Sequence, residues 1–193
     1  MRVPAVKAAT PADETPAVGT VVLAFAADPV VRWCWPASHQ YLTSMPRFTM
    51  AFGGGGFARQ GALCTEDFAG AALWLPPNVH PDEETLGQIV EETVGGSTRG
   101  ELLTMLEQMA AYHHEPHWYL PLIGVDPAFQ GKGYGNALMT HALQRCDQDR
   151  LLAYLESTNP RNITLYERHG FKAQGQIQVG SSPPMVPMLR KPR

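Results

Sequence analysis

The amino-acid sequence predicts one α/β domain that spans residues 1–193. Its length, with 44% hydrophobic and 17% charged residues, is typical of a globular chain that buries a sizeable core. An apolar strand at 118–125, a glycine turn at 130–135 and a helix to about Cys146 are followed by a second apolar strand at 151–155. This order predicts a βαβ unit, whose two strands run parallel.

The N-terminal half is predicted to hold a strand, two helices and an antiparallel hairpin. These elements are a strand at 3–9, a helix from Thr10–Pro11 to about Ala27, a helix at 39–52, and hairpin strands at 57–64 and 68–75. Asp28–Pro29 is predicted to end the first helix, because the residue before a proline avoids the helical region. The glycine run 53–56 is predicted to be a flexible turn, since no Lys-Ser/Thr follows it.

The remaining segments complete the expected sheet and its helical cover. Residues 81–112 predict two helices broken at Gly95–Gly96, and 160–169 predicts one helix that Gly170 ends. Residues 171–179 and 185–189 are predicted to add an antiparallel pair of strands.

Charge, cysteine content and hydropathy exclude several classes of protein. The formal charge is −3, the wrong sign for a chain that neutralises nucleic-acid phosphates, so no nucleic-acid partner is expected. The three cysteines form no CxxC pair, which favours buried reduced thiols over disulfides or zinc. The sequence lacks a signal-peptide pattern and any run of about 18 apolar residues. We therefore expect a cytoplasmic protein with no membrane partner.

The glycine turn after the first strand of the βαβ unit is the most informative motif. Gln130 precedes Gly131, Gly133 and Gly135 where a helix is predicted to begin, so unpaired backbone N–H groups and the helix dipole favour an anion such as pyrophosphate there. A role in packing alone is equally compatible with the glycines. The spacing does not match the Rossmann or Walker A patterns.

The segments on both sides of this turn resemble two motifs of the GNAT superfamily of acyl-CoA-dependent N-acyltransferases. Residues 124–135 read GVDPAFQGKGYG, and residues 155–171 read LESTNPRNITLYERHGF. The resemblance is tight over 117–172, and the nearest branch is that of the puromycin N-acetyltransferase-like enzymes. It implies a mixed, mostly antiparallel sheet of six or seven strands with a splayed central parallel pair, flanked by helices.

The resemblance also implies acetyl-CoA as co-substrate and assigns residues to it. Backbone groups of the strand would pair with the pantetheine arm, and the glycine turn would hold the pyrophosphate. The residues implied are Leu122, Ile123, Gly124 and Val125 on the strand, and Gln130, Gly131, Lys132, Gly133, Tyr134 and Gly135 in the turn. Asn159 is a further candidate for acetyl-CoA binding, although a plain helix N-cap explains it equally well.

Two residues are predicted to carry the chemistry. Tyr166 matches the family's tyrosine acid, which protonates the departing thiolate. Glu156, at the end of the second parallel strand, is the predicted base, although a structural pairing with Arg161 or Arg168 is equally compatible. His117 is a reserve candidate for the base. The neighbouring His113 and His114 are expected to be loop residues, and no metal is expected.

The sequence therefore predicts an N-acetyltransferase that moves an acetyl group from acetyl-CoA to the primary amine of a small molecule. Two alternatives stay open: an acyl-CoA-binding module without chemistry, and an acetyltransferase for protein lysines or N-termini. A hydrophobic or aromatic amine is the expected acceptor, with Trp33, Trp35, Tyr41 and Trp74 as candidate wall residues. The sequence leaves a homodimer open.

Overall fold

Seven strands form one mixed sheet in a computed structural model that describes residues 4–113 and 116–193. The spatial order is β1-β2-β3-β4-β5-β7-β6, and every neighbouring pair is antiparallel except β4 with β5. The strands are β1 (Val6–Ala8), β2 (Ala62–Thr65), β3 (Gly70–Leu75), β4 (His117–Val125), β5 (Leu152–Ser157), β6 (Lys172–Ala173) and β7 (Val186–Arg190). This arrangement confirms the predicted fold class.

Helices cover both faces of the sheet. One layer contains α1 (Glu14–Ala24), α2 (Pro29–Cys34), α3 (Ser38–Gly53), α4 (Glu83–Thr93) and α5 (Gly96–Ala110). The other layer contains α6 (Tyr134–Gln148) and α7 (Ile163–Arg168). In β3, Leu73 packs under the first layer and Trp74 under the second, because successive strand residues point to opposite faces. Within the described ranges, no helix combines the length and the apolar character that a membrane span requires.

The chain between α1 and β2 differs from the prediction. The first helix ends at Ala24, and Asp28 begins a further short helix, α2, instead of ending one. Residues 54–59 form a 3₁₀ helix, so β2 begins at Ala62 and not at residue 57. A Cβ on Gly56 would lie 2.6 Å from the Trp74 carbonyl oxygen. Close packing against β3, and not flexibility, therefore explains this glycine.

The C-terminal half agrees with the prediction in outline. Helices α4 and α5 meet at Gly95–Gly96, as expected. The predicted helix at 160–169 is divided into a 3₁₀ turn at Pro160–Asn162 and α7. The predicted strand at 171–179 is reduced to β6 and a single bridge between Ile177 and Met185.

Candidate active site

The two parallel strands separate after a short contact. They pair only where His117–Tyr119 lie beside Leu152–Tyr154, whereas β3 stays paired with β4 as far as Val125. The other edge of Leu122–Val125 therefore has no strand partner in the part of the chain that the structure describes. Backbone N–H and C=O groups on that edge are available to a ligand, which is the splayed geometry that the resemblance implied.

A β-bulge in β4 lies where the strands separate. Leu73 of β3 pairs with Leu122, but Leu75 pairs with Tyr119, so β4 holds one extra residue over this stretch. The stretch includes Pro121, which has no N–H to donate to a ladder. Tyr119 and Leu122 consequently both face the α1–α5 layer, although an unbroken strand would place them on opposite faces. The sequence analysis predicted a continuous strand and missed the bulge.

A cleft opens between the separated strands and extends beneath helices α2 to α5. Its free volume is about 1030 Å³ when its open mouth is included. Apolar and aromatic side chains of the four helices form most of its wall. They include Val31, Trp35, Phe48, Phe52, Val90, Leu102, Met105 and Met109. The cleft can therefore surround an apolar ligand close to the free edge of β4.

Glu156 is the one acidic residue among the described residues that line this cleft. Its side chain is 4% exposed. One carboxylate oxygen accepts a hydrogen bond of 2.9 Å from the Tyr119 hydroxyl, and the other lies 3.2 Å from Nε2 of His113. These contacts replace the pairing with Arg161 or Arg168 that the sequence left open. The predicted base thus lies in the cleft, held by a tyrosine and a histidine.

Two buried tyrosines adjoin the same carboxylate. Burial, followed by the charge of Glu156, raises the pKa of Tyr119 and of Tyr154 far above the ordinary value. The Tyr154 hydroxyl is buried and has no hydrogen-bond partner among the residues that the structure describes. Both hydroxyls therefore stay protonated at neutral pH and cannot take a proton from Glu156.

Tyr166, the predicted acid, lies on α7 and lines the same cleft. It is 5% exposed, and burial raises its pKa, with a smaller contribution from the charge of Asp28. The hydroxyl consequently keeps its proton at neutral pH, which is the state that a general acid needs.

Asp28 supports the wall of the cleft through Thr158, a role that the sequence analysis missed. Its buried carboxylate accepts hydrogen bonds from the backbone N–H groups of Val30 and Val31 and, at 2.6 Å, from the hydroxyl of Thr158, which lines the cleft. The start of α2 is thereby tied to the chain that follows β5. Burial raises the pKa of Asp28 despite these bonds. An aspartate directly before Pro29 is an N-cap signal, and it would have identified α2.

The glycine turn has the geometry that a pyrophosphate requires. Gly131 and Gly133 have φ values of +73° and +89°, and Gly133 caps the N-terminus of α6. A Cβ at either position would meet no protein atom within 4 Å. The space beside these backbone N–H groups is therefore open, at a helix end that favours anions. The residues present fit the diphosphate of acetyl-CoA.

The longer side chains of this turn contact the protein itself. Lys132 donates a 2.9 Å hydrogen bond to the carbonyl of Ala128, and its ammonium lies over the Phe129 ring. The Tyr134 hydroxyl donates to Asp67, and the Gln130 amide donates to the carbonyl of Val125. In this conformation the turn offers a ligand its backbone, and these side chains brace the turn.

The comparisons with known proteins agree with this geometry. Residues 65–171, more than half of the chain, match the model of the Acetyltransferase (GNAT) family. The chain belongs to this family. The matched segment contains β4, the glycine turn, β5, Asn159 and α7, and so every residue predicted to bind acetyl-CoA or to carry the chemistry.

Individual relatives of this GNAT protein cover different shares of it. An uncharacterised N-acetyltransferase of Schizosaccharomyces pombe is 32% identical over 142 residues, which are 65% of this chain and 58% of that protein, so the chain spans less than two thirds of that relative. A solved structure from Corynebacterium glutamicum, described as histone acetyltransferase HPA2 and related acetyltransferase, is 27% identical, with a TM-score of 0.70 over 100% of this chain and 98% of that one. The polyamine N-acetyltransferase of Drosophila melanogaster shares the fold, at 13% identity and a TM-score of 0.67, over 97% of this chain and 99% of that one.

Two of the GNAT glycines are explained by helix packing. A Cβ on Gly124 would lie 2.6 Å from Cβ of Ala24, so α1 can lie on β4 only because residue 124 has no side chain. A Cβ on Gly135 would lie 3.3 Å from the side chain of Leu165 on α7. The assignment of their main-chain atoms to acetyl-CoA stays a prediction.

The two asparagines near the start of α7 have different positions. The Asn159 side chain accepts a hydrogen bond from the Arg161 N–H and caps the 3₁₀ turn, whereas Asn162 lines the cleft. Tyr166 lies on α7, which begins only at Ile163, so Asn159 precedes that helix by the length of the 3₁₀ turn. The structure favours the N-cap explanation for Asn159.

Only one of the aromatic residues predicted for the acceptor wall lies there. Trp35 lines the cleft and donates a hydrogen bond to the Thr93 hydroxyl. Trp33 donates to Ser181 outside the cleft, and Trp74 packs beneath α6 and α7 on the opposite face. Tyr41 is buried in the core under α1 and donates to the backbone there.

The histidines near the start of β4 contact one another. Nδ1 of His113 lies 3.2 Å from Nε2 of His117. His114, which was considered with them, lies outside the described residues. Among the residues described, no group of three His, Cys, Asp or Glu side chains could hold a metal ion.

Proposed function

We propose that this protein transfers an acetyl group from acetyl-CoA to the primary amine of a small, largely apolar molecule. The observation that carries the proposal is the cleft at the free edge of β4, where one buried carboxylate lies within apolar walls. Membership of the GNAT family supports acetyl transfer. The nature of the walls supports the choice of acceptor.

Each predicted site residue has a task in this proposal. An alkyl amine with a pKa near 10.4 is only about one part in 10³ neutral at pH 7, so a base must remove a proton before the amine can attack. Glu156 accepts that proton, and Tyr166 protonates the thiolate as it leaves. Backbone groups of Leu122–Val125 hold the pantetheine arm, and the turn at 130–135 holds the diphosphate.

The charge inside the cleft favours a monoamine. Glu156 neutralises one ammonium group, and no second carboxylate lines the described wall to neutralise another. Burying an unpaired cation among the side chains of Val90, Leu102 and Met105 is costly. The name of the Drosophila enzyme indicates a polyamine as its acceptor. For the present protein, a polyamine is therefore a poorer acceptor than an arylalkyl monoamine.

Several finer features stay predictions. They are a place in the puromycin N-acetyltransferase-like branch, a cytoplasmic location, a homodimeric state, and the individual contacts of Gln130, Lys132, Tyr134 and Asn159 with acetyl-CoA.

A panel of acceptors tests the proposal. Release of free thiol from acetyl-CoA is measured with phenylethylamine, spermidine and a lysine-containing peptide. We expect kcat/KM to be highest for phenylethylamine. Glu156→Gln should lower kcat by about 10²- to 10⁴-fold, the usual contribution of a general base. Glu167→Gln, an exposed position on α7, is the matched control and should leave kcat unchanged.

The other outcomes identify the alternatives. Turnover of the peptide alone would indicate a protein acetyltransferase. The description of the Corynebacterium structure names an enzyme of that kind, a histone acetyltransferase. Thermal stabilisation by CoA without turnover of any amine would indicate a binding module. Equal activity in Glu156→Gln would remove Glu156 from the mechanism.

A further inference from the structure

We propose that His113 and His117 form a relay that carries the proton taken up by Glu156 from the buried cleft to the protein surface. This inference rests on the proposed function, because it concerns the proton that Glu156 removes from the amine. Neither imidazole is among the residues that line the cleft, so the relay would act behind the base and not on the acceptor.

The three side chains form a continuous chain of hydrogen-bond contacts. Nε2 of His113 lies 3.2 Å from Glu156, and Nδ1 of the same ring lies 3.2 Å from Nε2 of His117. The Glu156 side chain is 4% exposed, whereas that of His113 is 29% exposed and His117 is half-buried. Exposure therefore rises from the carboxylate towards the histidines, which is the direction in which a proton has to leave.

A buried base needs such an exit. After each acetyl transfer Glu156 holds a proton, and it must lose that proton before the next amine can be activated. Most of the described wall of the cleft is apolar, and its other polar side chains, Thr158, Asn162 and Tyr166, are neutral groups that accept a proton far less readily than an imidazole does. Among the residues that the structure describes, titratable groups that face the cluster from the chain after α5, from β4 and from β5 include Tyr112, Tyr119 and Tyr154. Phenols are proton donors at neutral pH, whereas an imidazole both accepts and donates a proton there.

The proton balance is complete without any other reactant. The ammonium loses two N–H protons in becoming the amide: one forms an O–H bond on Glu156, and the other replaces the proton that Tyr166 gives to the thiolate. The proton on Glu156 then passes to Nε2 of His113 while the proton on Nδ1 of His113 passes to Nε2 of His117, and His117 releases the proton on its own Nδ1 to water. No group is oxidised or reduced. The transfer requires the His113 proton on Nδ1 once Glu156 is protonated; while Glu156 is ionised the Nε2–H tautomer donates to it, and exchange with water interconverts the two tautomers.

The aromatic surroundings hold both rings in register for this transfer. The His113 ring stands edge-on to Tyr119 and Tyr154, with centroids 4.9 and 4.5 Å away, and the His117 ring lies 5.3 Å from Tyr154. These contacts also suit a purely structural role, in which His113 only orients Glu156. The experiment must therefore separate proton transfer from support.

Rapid-quench kinetics with acetyl-CoA and phenylethylamine make that separation. His113→Gln keeps an amide that can form a hydrogen bond with Glu156 but cannot pass a proton on. We expect its first turnover to match the wild-type rate, giving a burst of one product per site, followed by a steady-state rate at least tenfold lower. Added free imidazole should raise that slow rate, and the KM for acetyl-CoA should not change. Tyr119→Phe, which removes the other hydrogen bond to Glu156, should slow both phases equally and show no burst.

Two results would overturn the relay. One is a His113→Gln variant whose first and later turnovers are slowed alike and do not respond to imidazole, since that behaviour indicates support alone. The other comes from NMR of the imidazole nitrogens in the free protein and needs no acceptor. In Glu156→Gln, whose amide stands in for the protonated carboxyl, we expect neutral His113 to carry its proton on Nδ1 in a substantial fraction of molecules. A neutral ring that carries it only on Nε2 in this variant excludes the relay, even where phenylethylamine is not acetylated and the proposed function itself has failed.

Discussion

Gly133→Ala tests whether the turn before α6 holds the diphosphate of acetyl-CoA. Gly133 has a φ of +89°, and a Cβ there meets no protein atom within 4 Å. The substitution therefore creates no clash within the protein. It has two effects: backbone strain in the protein, and a methyl group in the space assigned to the phosphates.

The two effects have different magnitudes and different readouts. An alanine in the left-handed region costs about 1–2 kcal/mol of folding free energy. For a chain of this length that cost lowers the Tm by about 2–8 °C. Loss of close phosphate approach should weaken CoA binding at least tenfold, or about 1.4 kcal/mol. If the backbone relaxes to relieve the strain, the N–H groups turn away and affinity falls for that reason instead.

Gly180→Ala is the matched control. Gly180 also has a positive φ, +52°, but its added Cβ meets only the side chain of Glu101. It should therefore lower the Tm by at least as much as Gly133→Ala does, without any change in CoA affinity. Calorimetric titration with CoA and thermal unfolding measure both quantities. CoA affinity within twofold of wild type in a folded Gly133→Ala protein would refute the phosphate assignment.

Three further substitutions test the acid, the packing of β4 and the C-terminal ion pair. Tyr166→Phe should lower kcat and leave CoA affinity unchanged, because only the proton is lost; an unchanged kcat would exclude Tyr166 as the acid. Gly124→Ala should cost about 1–3 kcal/mol by overpacking against α1, and adding Ala24→Gly should recover part of that loss in denaturant unfolding; absence of recovery would show that the helix contact is not the cause. Asp147→Asn leaves the buried Arg190 without its carboxylate and should cost about 3 kcal/mol at pH 7. The Arg190 hydrogen bonds lower the pKa of Asp147, so wild type should lose this advantage progressively as the pH falls below about 4, and a difference between the two proteins that does not shrink with falling pH would contradict the assignment.

The parts of the site that were predicted from sequence depend on local signals. An apolar run, a glycine turn and an amphipathic helix specify β4, the turn and α6 within one stretch of chain, and the local geometry follows from residue types at fixed spacing. The position of Tyr166 was also predicted from a local signal, because the motif at 155–171 that contains it is one continuous segment. These features needed no knowledge of what packs against them.

The parts that were missed depend on distant segments. The partners of Glu156 come from the end of α5 and from β4, and no local pattern links them to β5. The wall of the cleft is built mostly from α2, α3, α4 and α5, whose apolar stripes look like ordinary core from sequence. Asp28–Pro29 was misread for a different reason, because the same dipeptide can end one helix or begin the next.

The bulge in β4 lies between the residue that holds the predicted base and the strand edge predicted to bind acetyl-CoA. Before it, Tyr119 points towards Glu156; after it, Gly124 lies under α1, where a side chain would overlap Ala24. In an unbroken strand that kept Tyr119 in place, Gly124 would point to the α6 layer and a larger neighbour would face α1. The bulge that contains Pro121 turns residue 124 towards α1, and glycine at 124 leaves room for that helix. One strand can thus support Glu156 at one end and present a free backbone edge at the other.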